Sequence, residues 1–130
     1  MSNLLVNMRD QEFLLYEQID IEKLFKFKKF ADFSKDVVDM VRAEAEKMAI
    51  EIIAPTLEEG DREAAQFIDG KACAPACFRE PYKTFTEAGW NCATKDPEWG
   101  GQNMPSLLYT TCWELFAAAH MAFTMYSTLT

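Results

Sequence analysis

From Leu115 to Thr130 the chain carries no formally charged side chain. Within that stretch Leu115-Phe116-Ala117-Ala118-Ala119-His120-Met121-Ala122-Phe123-Thr124-Met125-Tyr126 is apolar nearly all the way round a helix. A helix with no wet face has to be covered on every side. The stretch is shorter than the roughly 20 residues a bilayer span needs, so the cover is expected to be protein. A chain of 130 residues makes one domain with a modest core. Three or four other helices of similar length can hardly surround this one. The segment is therefore expected to lie against something beyond these residues.

The rest of the composition points to helices. There are only five glycines and five prolines, Ala, Glu, Lys, Leu and Met are plentiful, and no segment alternates convincingly as a strand. The expected fold class is all-α, a small helical bundle. With 49% hydrophobic and 26% charged residues the chain is globular rather than disordered. A net charge of -8 argues against nucleic acid or an anionic membrane as the main partner. Lys23, Lys26, Lys28 and Lys29, interleaved with Phe25, Phe27 and Phe30, are a local exception and read as a solvated flank with apolar anchors.

Arg9, Asp10 and Glu12 interrupt the first apolar residues before a secretory segment can form, so a cytoplasmic location without a membrane span is expected. Cys73, Cys77, Cys92 and Cys112 are then expected to stay reduced. With one histidine, His120, and no second close cysteine pair, no metal site is expected. The same scarcity argues against a Ser-His-Asp or Cys-His centre, and His120 reads as a packing residue.

In chain order, residues 1–33 form an amino-terminal extension. Met8 to Gln18 reads as a short helix with Asp10 as a candidate cap. Ile19 to Phe33 reads as short helix or extended chain held to the surface by its phenylalanines. Ser34 caps the strongest helix, in which Val37, Val38, Val41, Ala45, Met48, Ala49, Ile52 and Ile53 share one face. Pro55 should stop or kink it. A shorter helical piece follows to Ala65, then a turn at Asp69-Gly70 and a loop from Ala72 to Ala76. The next helix carries Phe78, Tyr82 and Phe85. Pro81 implies either an irregular first turn or a later start, and Gly89 is placed as the closing cap. Glu87 to Pro105 is the connecting loop, with Gly100-Gly101 as a tight bend and Trp99 as its apolar anchor. Pro105 is placed to open the last helix.

No phosphate loop, nucleophile elbow or zinc-protease motif is present. Glu114, between Trp113 and Leu115, reads as a buried carboxylate paired to a basic group, with a general base as the other reading. On its residues alone the domain has no catalytic apparatus of its own.

The order Ile52-Ile53-Ala54-Pro55, Asp61-Arg62, Glu87-Ala88-Gly89-Trp90, Pro97-Glu98-Trp99-Gly100-Gly101 and Glu114-Leu115 resembles the amino-terminal α-helical domain of acyl-CoA dehydrogenases. The resemblance runs from about Phe33 onward. The extension before it is similar to that of the larger bacterial branch, which includes 3-methylmercaptopropionyl-CoA dehydrogenase. Asn103 and Met104 depart from the family's usual Gly and Leu, although Asn tolerates the left-handed conformation.

The resemblance implies a helical domain at residues 34–130, cut from a larger enzyme whose other domains hold FAD, the acyl-CoA thioester and the catalytic glutamate. That glutamate takes the α-proton while hydride passes from the β-carbon to the flavin. It also implies that Phe123, Thr124 and Ser127 line the far end of the acyl pocket, with Phe123 shortening the tunnel toward short or medium acyl groups. No catalytic, cofactor-binding or metal residue is carried over to this chain, and a homo-oligomer is expected. The competing reading is a stand-alone helical interaction module that uses its apolar carboxy-terminal helix to bind a partner or itself. A small lipid carrier is a third reading, which a fatty-acid titration without saturation would remove.

Overall fold

Ser34 sits in extended conformation, and its hydroxyl accepts the N–H of Val37 at 3.3 Å, satisfying one of the free donors at a helix start. This is the cap expected from sequence. In the computed structural model, which describes residues 4–128, it opens helix α2, Lys35–Lys47. The helix does not stop cleanly at Pro55. It loosens into π-helical turns over Met48–Ile53 and then tightens into a 3₁₀ turn over Ala54–Thr56. The missing N–H of Pro55 falls at the start of that turn, where it costs little. Val38, Ala45, Ala49 and Ile53 are buried along one face, as the helical spacing predicts.

Helix α3, Leu57–Glu63, follows directly. Beyond it the structure departs from the expectation of no strands. Strands β1, Gln66–Ile68, and β2, Lys71–Cys73, pair antiparallel around Asp69-Gly70. Both turn residues have positive φ, 49° and 77°, which is the two-residue geometry that matches strand twist. The Asp-Gly signal was legible as a turn. The flanking segments are too short and too exposed to show alternation. Otherwise the described residues form the expected all-α bundle.

Helix α4, Arg79–Glu87, begins after a 3₁₀ turn at Ala76–Phe78, so Pro81 lies in its first turn, where no N–H partner is needed. Gly89 closes it in left-handed conformation, as expected. In the loop to residue 105 the two glycines do different jobs. Gly100 supplies a φ of 77°, whereas Gly101 supplies space: a Cβ there would lie 2.0 Å from the Lys95 carbonyl oxygen. Asn103 takes the left-handed φ of 51° that its amide tolerates. The loop's apolar anchor, however, is not Trp99, which is 75% exposed, but Trp90, which is 7% exposed and packs edge-on against Phe116 at 5.0 Å.

The amino-terminal segment is held by polar links as well as apolar ones. Helix α1, Met8–Glu12, continues as π-helical turns over Phe13–Gln18, and its cap is Asn7, not Asp10: Asn7 Oδ1 accepts from Arg9 N at 3.1 Å. Leu15 and Ile21 are fully buried in the common core. Buried Arg42 donates to the Met8 carbonyl at 2.9 Å, and Tyr16 donates to Asp39 at 2.6 Å. Burial raises the Tyr16 phenol pKa, and the Asp39 carboxylate raises it further. Burial pushes Asp39 upward, but Tyr16, Lys35 and Arg42 outweigh it and hold the carboxyl below its ordinary value. Of the aromatic residues in the basic stretch, Phe25 packs on the core while Phe27 faces solvent.

Helix α5, Ser106–Thr128, starts immediately after buried Pro105 and packs along α2 and its π-helical continuation. Among the described residues no helix is long and apolar enough to cross a membrane.

Candidate functional site

Helix α5 is not continuous. His120 has φ -164° and ψ 98°, an extended conformation that divides the helix into a long first part and a short last part. Its imidazole is buried, with Nδ1 2.9 Å from the Thr56 hydroxyl. Thr56 Oγ1 also lies 2.7 Å from the Ile53 carbonyl oxygen, so the hydroxyl bridges that carbonyl and the imidazole. Burial lowers the imidazole pKa, with Asp61 pulling weakly the other way. The packing role expected of His120 is present, together with a backbone break that the residues around it do not announce.

After the break come the three residues that the family resemblance picks out. Phe123 is fully buried within an edge-to-face aromatic cluster, 5.4 Å from Phe78 and 6.0 Å from Phe85. Thr124 and Ser127 are buried as well. Thr124 Oγ1 donates to the His120 carbonyl at 3.0 Å and Ser127 Oγ to the Thr124 carbonyl at 2.8 Å. The three residues therefore lie together, and Phe123 is among the residues that line a groove. The groove is about 440 Å³, and its walls include Phe78, Arg79, Tyr82 and Tyr126. That size is within the range of small-molecule sites.

The opposite side of α5 carries a second depression, about 560 Å³, lined by Leu14, Ile19, Leu107, Trp113, Ala117 and Met121 among others. Its surface is mostly apolar, and Met121 and Met125 are 50% and 39% exposed on this helix. Glu114 stands at its edge. It is exposed rather than buried, and its recorded partner is an amide rather than a base: Gln11 Nε2 donates to Glu114 Oε2 at 2.8 Å and to the Thr111 carbonyl at 3.0 Å. Both sequence readings of Glu114 required burial, so both are corrected.

All four cysteines are free thiols, and among the described residues no three His, Cys, Asp or Glu groups gather as metal ligands would. Burial pushes the Cys112 thiol up to about 12. Thr56 and Gly60, not among the residues singled out from the sequence, frame His120. A Cβ on Gly60 would lie 2.6 Å from Phe78 Cε1 and 2.9 Å from His120 Cε1. A glycine inside a helical stretch, costing about 1 kcal/mol against alanine, was the available signal of a close approach.

No family model matches the chain. It is 31% identical to the broad-specificity linear acyl-CoA dehydrogenase FadE5 of Mycobacterium tuberculosis, over 130 aligned positions that cover 98% of the chain and 21% of that protein. It is 29% identical to 3-methylmercaptopropionyl-CoA dehydrogenase of Ruegeria pomeroyi over 101 positions, 75% of the chain and 17% of that protein. By sequence the chain is a relative of the acyl-CoA dehydrogenases. It spans about a fifth of the length of the curated relatives it matches.

Proposed function

We propose that the chain is the amino-terminal helical domain of a flavin-dependent acyl-CoA dehydrogenase, which introduces a double bond between the α and β carbons of an acyl-CoA thioester in the cytoplasm. The observation that carries this reading is a match to an acyl-CoA dehydrogenase along 98% of the chain. The domain contributes a wall rather than a reacting group. Phe123, with Thr124 and Ser127 bracing the turn that bears it, closes the far end of the acyl pocket and favours short or medium chains. The apolar outer side of α5 meets the remainder of the enzyme, which is a homo-oligomer.

FAD is held outside this domain. A dinucleotide needs donors that converge on its pyrophosphate. The Lys95 and Cys92 carbonyl oxygens beside Gly101 accept from the N–H groups of Asn103 and Lys95 at 3.0 and 2.9 Å, which ties the loop to itself, and Arg79 is the guanidinium on the wall of the Phe123 groove.

The test is to produce the protein encoded by the complete reading frame alongside the 130-residue chain. The complete protein should be yellow and should reduce an artificial electron acceptor when given acyl-CoA, and the short chain should do neither. A colourless, inactive complete protein would sink the proposal. A flavin-binding, active short chain would overturn the division of labour.

The exposed apolar residues Met121, Met125 and Tyr126 favour one competing reading, an interaction module that uses α5 as its contact surface. It predicts a reading frame without dehydrogenase activity.

A further inference from the structure

Helix α5 contains neither glycine nor proline, and three alanines, the strongest helix formers, directly precede His120. Sharp breaks usually trace to proline, glycine, a π-bulge or an inserted side chain. Local sequence therefore favours a straight helix here, and the extended conformation at His120 is imposed by what its side chain touches. Thr56 is presented by the 3₁₀ turn at Pro55 and oriented by its own bond to the Ile53 carbonyl. Phe78 packs edge-on to the imidazole at 5.1 Å, and Gly60 leaves the room both rings need. On the far side of the break, Thr124 ties back to the His120 carbonyl, and Phe123 lodges against Phe78.

We propose that His120 is a positioning residue: its hydrogen bond to Thr56 holds α5 bent, and the bend sets how far the Phe123 ring reaches toward the acyl chain. The inference rests on the reading of Phe123 as the pocket wall. It makes Thr56 and His120, neither of which borders the proposed acyl chain, determinants of chain-length preference.

The first measurement needs no substitution. The ring nitrogen spectrum of the 130-residue chain at neutral pH should show His120 neutral with Nδ1 hydrogen-bonded, and backbone carbon shifts should be non-helical at that residue. Helical backbone shifts at His120 would overturn the proposal. Next, Thr56→Val removes the hydroxyl while keeping the shape, and Thr56→Ser restores it. The valine variant should shift His120 toward helical values and the serine variant should not. Unchanged shifts in the valine variant would also overturn the proposal.

In the complete enzyme, Thr56→Val should change the ratio of kcat/KM for octanoyl-CoA to that for butyryl-CoA by about tenfold, the scale of a methylene in an apolar pocket. Thr56→Ser should leave that ratio near wild type. Phe123→Ala is the control that separates the two claims. If it moves the ratio and Thr56→Val does not, the wall stands and the positioning role falls. If Phe123→Ala leaves the ratio unchanged, the wall reading falls and takes this inference with it.

Discussion

Leu108, Cys112, Leu115, Phe116, Ala119 and Phe123 are covered along one side of α5, while Ala118, Met121, Ala122 and Met125 stay exposed away from it. The two sides differ little in polarity, so residue type does not decide which one is buried. Shape does. The inner side supplies Phe116 and Phe123 to an edge-to-face series that runs from Trp90 through Phe116 and Phe85 to Phe123 and Phe78. The outer side supplies unbranched methionines and alanines, which suit adaptable contacts better than a fixed core. One face is finished within this chain, and the other is expected to be finished by another surface.

The largest effects should fall on the finished face. Phe116→Ala or Phe123→Ala should cost about 3–5 kcal/mol in urea unfolding, the usual cost of emptying a buried aromatic site. A cost below about 1 kcal/mol would mean that this side is as loosely held as the outer one. Trp90→Ala should fall in the same upper range, whereas Trp99→Ala should stay within about 0.5 kcal/mol of wild type. Equal costs at the two tryptophans would contradict their opposite burial.

Gln11→Ala should cost an intermediate amount, about 1–2 kcal/mol, because it removes both hydrogen bonds that pin the amino-terminal helix to α5. Titration gives a further contrast. Burial lowers the His120 pKa from its ordinary 6.5, so as pH falls the unfolded chain takes up that proton first. Stability should decline from about pH 6.5 downward until the lower folded value is passed, and His120→Gln should flatten that part of the curve. An identical pH curve in the variant would count against a buried neutral imidazole.

Much of the fold was legible because its signals are local. Ser34, Gly89, Asn103 and Pro105 each act through their own backbone geometry, and each does what its residue type suggests. The misreadings share a different cause. Trp90 and Trp99 are indistinguishable until the chain folds and Phe116 arrives beside one of them. Glu114 has apolar sequence neighbours, yet on the helix it points outward to Gln11 from the other end of the described chain. The break at His120 is the extreme case, since its neighbours in sequence favour helix and its cause lies 64 positions away at Thr56. Of the three residues the family resemblance picked out, their proximity to one another follows from helical spacing. The enclosure of Thr124 and Ser127 follows only from the packed structure.

The most direct test of the unfinished face is the association state of the 130-residue chain at high concentration, measured by light scattering for wild type and for Met121→Glu/Met125→Glu. Wild type should self-associate, and the double variant should be a monomer of nearly unchanged stability. A wild-type chain that remains a clean monomer would contradict that expectation.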